Sequence, residues 1–118
     1  MALPFWCDSL MINYEDFEKV DMRIGIIKNV EDFPQAKKPA YKLTLDFGPE
    51  IGIKHSSAQI TNYKKDELLG RKVVAVVNFG PKQVANFISE VLVLGTKTEN
   101  GVMLLSVYPD APIGSKIS

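Results

Sequence analysis

Small polar side chains stand at the ends of apolar runs in this 118-residue chain: Ser56, Ser57 and Gln59 after one run, Asn78 at the end of a second, and Ser89-Glu90 at the start of a third. Such groups offer hydrogen bonds without bulk, the chemistry of a surface that grips a backbone or a nucleotide. Lys37, Lys38 and Lys82 lie close by in sequence and can hold phosphates or acidic side chains. Phe33, Phe79 and Phe87 stand at loop starts, where an aromatic ring stacks on a base or anchors an apolar side chain. Of these, Phe33 beside Pro34 is expected on the surface. Phe79 ends a strongly apolar run and is expected in the core, and Asn78 has a second reading as a group that satisfies the backbone where the strand turns.

Catalytic parts are missing. A nucleophilic mechanism needs a nucleophile within reach of a base, and the one histidine, His55, falls on an apolar position of an alternating run, which reads as core or rim. With one cysteine and one histidine a Cys/His metal site is not expected. No glycine-rich phosphate loop occurs, and the chain reads as non-enzymatic, with no catalytic residue, no metal and no cofactor.

The elements that must position these groups are short. Asn13 caps a helical turn or two over Tyr14–Lys19, with acids in its first turn. Val20, Met22, Ile24 and Ile26 then alternate with polar residues as a half-buried strand, and the alternation slips at Ile26-Ile27 beside Gly25, which predicts a bulge there. Phe33 to Pro39 is a loop. Tyr41–Phe47 and Ile51–His55 alternate about a Gly48-Pro49-Glu50 turn, as a hairpin with Ser56 to Gln59 just past it. Lys64–Leu69 ends at Gly70 as a single helical turn. Val73–Val77 is a continuous β-branched run covered on both faces, Val91–Leu94 a shorter one, and a polar link joins them. Asn100-Gly101 marks a last hairpin leading into Val102–Val107. This pattern predicts an all-β fold: a five-stranded OB-type barrel with a short N-terminal helix and extended terminal additions.

Length allows one domain, residues 11–118, preceded by an extension over residues 1–10 whose apolar, aromatic composition departs from everything after it. No apolar run approaches the roughly 20 residues needed to cross a bilayer, so no membrane insertion is expected. The single cysteine implies no oxidising compartment, and a cytoplasmic location is the expectation. Net charge is zero, yet nine bases face four acids between Ala36 and Lys82, enough for a local positive patch if the fold gathers them.

The segments DFEKVDMRIGII, FPQAKKPAYKLTLDFG, EIGIKHSSAQIT, GRKVVAVVNF and SEVLVLG occur in order over Asp16 to Ile117, and together they resemble the tRNA-binding OB-fold domain found beside methionyl- and phenylalanyl-tRNA synthetases. Within that family the chain is most similar to stand-alone, export-related chaperones of bacteria and archaea. The resemblance implies a homodimer paired through the terminal additions, binding of unfolded or precursor polypeptides, and contact with the preprotein translocation ATPase. It implies tRNA or structured-RNA binding on the same barrel face as the alternative. Asn78 and Ser89-Glu90 match positions on the family's RNA-facing side, and Ser56-Ser57 match a loop that lies near them. Where the wider family has His-Pro this chain has Phe33-Pro34, and Ser-Glu-Gly-Met is here Ser89-Glu90-Val91-Leu92, a more apolar pattern that favours peptide over RNA.

Overall fold

The computed structural model describes residues 11–118; the extension expected at residues 1–10 lies outside them. The barrel hangs on β1 (Met22–Asp32), which is long enough to serve two neighbours in succession. Its first half pairs antiparallel with β4 (Lys72–Val76) and its second half with β2 (Tyr41–Asp46). The register to β2 shifts between Ile27 and Asn29, so the extra residue is Lys28, one position later than the alternation suggested. Bulged there, the strand keeps both Ile27 and Val30 pointing inward, which is how it bends from one side of the barrel to the other.

β2 pairs antiparallel with β3 (Ile53–Ala58), and β4 with the two-residue β7 (Leu92–Val93), giving the strand order β3-β2-β1-β4-β7. This is a nearly closed five-stranded antiparallel barrel of OB type. Leu43, Leu45 and Phe47 alternate into the core with Ile27, Ile60, Leu68 and Val73, all fully buried. The Phe47 ring packs closely against Gly25, where an added Cβ would fall 2.6 Å from the ring. A glycine is needed there for close approach.

Helix α1 (Tyr14–Lys19) starts as expected at Asn13, whose side chain accepts from the Asp16 N–H at 2.9 Å while the Asp16 carboxylate accepts from Asn13 N–H at 3.2 Å. Helix α2 (Lys65–Leu68) drops Leu68 into the core, and Gly70 follows it with φ of 79°. The C-terminal tail returns along the free edge of β1's first half. Gly114 N–H donates to Ile24 O at 2.7 Å, Ile24 N–H to Ser115 O at 3.1 Å and Ile117 N–H to Met22 O at 2.8 Å. Arg23 clasps it, donating to Gly114 O at 3.0 Å and to the Asp21 carboxylate at 2.7 Å, and the hydrogen bond to Asp21 raises the guanidinium pKa above its ordinary value.

Two hairpins stand outside the barrel ladder. β8 (Gly95–Thr98) and β9 (Gly101–Leu104) form the one signalled by Asn100-Gly101, although β9 stops short of the Val107 expected. The other, β5 (Lys82–Val84) with β6 (Phe87–Ser89), replaces the expected polar link. Its turn is Ala85-Asn86 with Ala85 at φ of 53°, a conformation normally signalled by glycine or asparagine, so composition concealed it. No helix among the described residues is long and apolar enough to cross a membrane.

Candidate functional site

The barrel closes between the outer edge of β3 and residues 89–91, and it closes largely through side chains. A sheet edge presents an N–H and a C=O at every second residue, and these must find partners. Glu90 N–H donates to His55 O at 2.8 Å, an ordinary ladder bond. The return bond ends on a carboxylate: His55 N–H donates to Glu90 Oε1 at 3.0 Å, and the same oxygen lies 3.1 Å from His55 Nδ1. Ser57 N–H donates to Ser89 Oγ at 3.2 Å, and Ser56 Oγ donates to Val91 O at 2.9 Å. Ser56 is 1% exposed, so its hydroxyl is spent inside the seam. Four residues expected on the ligand face, Ser56, Ser57, Ser89 and Glu90, are thus brought together in one latch. Lys54 Nζ reaches the other Glu90 oxygen at 4.0 Å.

The register explains two corrections in β3. Ser56 and Ser57 belong to the strand rather than following it. Thr44 pairs with His55 and Asp46 with Ile53, on the face opposite Leu43 and Leu45. His55 is therefore turned outward, its side chain 48% exposed, where the alternation placed it in the core or at its rim. The apolar Ile53 is outward with it, so alternation of apolar residues does not mark the buried face of this strand.

Outside the seam sits an aromatic cluster. Phe33 and Phe87 meet edge to face at 5.6 Å between centroids, His55 stands at 90° to Phe87 at 6.3 Å, and Lys42 Nζ lies 5.2 Å from the Phe33 ring and 5.7 Å from Phe87. Phe33, expected on the surface, is 4% exposed because the β5–β6 hairpin folds across it. The cluster ties the β1–β2 loop, which carries the exposed Lys37 and Lys38, to that hairpin. Neither His55 nor Lys42 bore a local signal, since their partners come from distant segments.

Next to the latch lies a cavity of about 270 Å³ lined by Phe79, Gly80, Lys82, Ser89, Glu90, Val91 and Leu92. Phe79, expected in the core, is 56% exposed. Pairing of β4 ends at Val76, and Asn78 turns the chain by accepting from Asp21 N–H at 2.9 Å and donating to Lys19 O at 2.6 Å. Phe79 then lies beyond the barrel wall, and both polar ends of Asn78 are engaged by backbone. Leu92, opposite Val76, faces the cavity half-exposed while Val91 is buried beneath it. The cavity is chemically an apolar pocket with Glu90 and Ser89 in its wall and Lys82 at its rim. No cluster of His, Cys, Asp or Glu suited to a metal occurs among the described residues.

Residues 22–116 match the family model described as "Putative tRNA binding domain". A CsaA chaperone protein from Picrophilus torridus is 63% identical, with a TM-score of 0.88 over 92% of this chain and 100% of that one. A chaperone CsaA from Bacillus anthracis is 49% identical, with a TM-score of 0.84 over 92% of this chain and 99% of that one. The methionine–tRNA ligase of Methanococcus maripaludis is 34% identical over 112 residues, which cover 91% of this chain and 16% of the ligase. The chain thus spans about a sixth of the curated relatives it matches.

Proposed function

The chain belongs to the tRNA-binding-domain family, and from that premise and its likeness to CsaA chaperones we propose that it is a non-enzymatic, cytoplasmic polypeptide-binding protein that holds unfolded or precursor chains for export. The observation that carries this reading is the apolar cavity between Phe79 and Leu92, with Glu90 in its wall. An apolar side chain entering it removes both surfaces from water, whereas a phosphate brought there gives up its hydration to a mostly apolar wall. Exposed Phe79 and Leu92 supply apolar surface to the cavity, Lys82 stands at its rim to attract acidic neighbours, and the latch keeps the walls in place. Contact with the preprotein translocation ATPase is part of the same reading.

Replacing Phe79 by alanine and Leu92 by aspartate tests it. Each change is at a half-exposed position, so the fold is retained, and each is expected to weaken binding of an unfolded polypeptide about tenfold, the effect of losing one well-buried anchor. Unaltered affinity in both variants would remove the cavity from the mechanism.

The working unit in this reading is a homodimer. Exposed Met103 and Leu105 on and beside the β8–β9 hairpin, with Met11, Ile12 and Tyr14 at the other terminal addition, are apolar surface that a second copy would cover. Gel filtration is expected to give the mass of two chains, and Met103→Glu with Leu105→Glu to give that of one. Elution of the unaltered protein as a monomer at micromolar concentration would contradict this.

Binding of tRNA is the second reading, favoured by the family model and by Lys42 poised over the Phe33 and Phe87 rings. It requires affinity that falls steeply with salt, since each neutralised phosphate releases counterions.

A further inference from the structure

At the far end of β4 from the candidate site lies a second cavity, of about 350 Å³, lined by Gly70, Arg71, Lys72, Ser106, Val107 and Pro109. The length of β4 separates the two, on the order of 15 Å at the usual rise per residue. Two cations border it, and among the described residues neither has a carboxylate within ion-pair distance.

Both are held in place. The Arg71 guanidinium lies 5.2 Å from the centre of the Tyr63 ring. That residue is pinned at two points, its hydroxyl accepting from Leu104 N–H at 3.1 Å and its carbonyl accepting from Tyr41 OH at 2.9 Å. The backbone of Arg71 is fixed as well, donating to Leu68 O and accepting from Ile27 N–H, each at 3.0 Å. Lys72 Nζ donates to Pro109 O at 2.7 Å and Ala111 O at 2.8 Å, which leaves one of its three donors free and its charge uncompensated.

We propose that this cavity binds a dianionic phosphate, either free or as the terminal monoester of an oligonucleotide. A phosphate monoester carries close to two negative charges near neutral pH and so answers both cations, where a carboxylate or a backbone phosphodiester answers one. The planar fork of Arg71, the free donor of Lys72 and the Ser106 hydroxyl supply donors of the kinds that phosphate oxygens accept. Val107 and Pro109 give the rest of the wall an apolar surface suited to an organic group beyond the phosphate.

The test is a titration of the full chain with inorganic phosphate at constant ionic strength, followed by amide and arginine side-chain chemical shifts. Saturable shifts are expected at Gly70–Lys72 and Ser106–Val107. Arg71→Met, which keeps the apolar stem over Tyr63, should weaken binding about tenfold, and Arg71→Lys less. Lys19→Ala, which removes an exposed cation at the other end of β4, should leave phosphate binding unchanged. A 5′-phosphorylated tetrauridylate and its 5′-hydroxyl counterpart identify the source. Tighter binding of the phosphorylated form than of inorganic phosphate assigns the site to a nucleic-acid terminus, and equal binding assigns it to a free phosphate. Shifts that do not saturate with any of the three, or that persist unchanged in Arg71→Met, would overturn the proposal.

Discussion

Replacing Glu90 by alanine is expected to lower stability by about 1–2 kcal/mol and polypeptide affinity about tenfold, because the change opens the seam that forms the cavity wall. The Glu90 side chain is part-exposed, so the energetic loss is set less by its charge than by the His55 N–H that it leaves without an acceptor on the edge of β3. Glu90→Gln separates the two. Its amide oxygen can still accept from His55 N–H, so most of the stability should return, while the interaction with Lys54 is lost. Amide hydrogen exchange reads the seam directly: His55 and Ser57 are expected to exchange faster in Glu90→Ala and near the unaltered rate in Glu90→Gln. Unchanged exchange at both positions in the alanine variant would show that the strands are joined by something other than this carboxylate.

A larger loss of stability is expected at Gly25. An alanine there sets its Cβ 2.6 Å from a Phe47 ring that is fully buried, so either the ring leaves its position or β1 shifts against β2. Overpacking of this kind costs about 2–3 kcal/mol. Phe47→Leu alone leaves a void and costs about 1–2 kcal/mol, but in the double variant the smaller side chain makes room for the new methyl. The two losses should therefore be strongly non-additive in urea unfolding, the double variant being about as stable as Gly25→Ala or more so. Additive losses would mean that the two residues are not in contact.

These two sites mark where the sequence was readable and where it was not. The capped helix at Asn13, the single turn ending at Gly70, the buried Val73–Val76 strand and the barrel itself rest on local signals: a capping side chain, a glycine at positive φ, β-branched runs and period-2 alternation. The bulge announced itself through the same alternation and fell one residue from its expected place, at Lys28. What local pattern could not carry was the partner of each exposed or buried group. Phe33 is buried by Phe87, a residue 54 positions away, and Phe79 is exposed because Asn78 turns the chain out of the ladder. In β3 the apolar Ile53 faces outward, so period-2 alternation places His55 on the wrong face.

The candidate site was legible as a place more than as a mechanism. Asn78, Ser56, Ser57, Ser89 and Glu90 do converge around one end of the barrel, but the polar side-chain atoms of Asn78, Ser56, Ser89 and Glu90 are engaged with one another and with backbone. In this account they shape the pocket, and Phe79, Leu92 and Lys82 meet the client. The Val91-Leu92 pair makes the division plain. Val91 is buried behind the latch, its carbonyl accepting from Ser56, and Leu92 supplies apolar surface to the cavity.

Titrating one preparation in parallel with an unfolded polypeptide and with bulk tRNA, each at low and at high salt, tests the central claim most directly. Polypeptide binding is expected to saturate and to change little between the two salt concentrations, since burial of apolar surface is not screened, while binding of tRNA is weaker and falls steeply with salt. Saturable tRNA binding with no saturable polypeptide binding at either salt concentration would contradict the account.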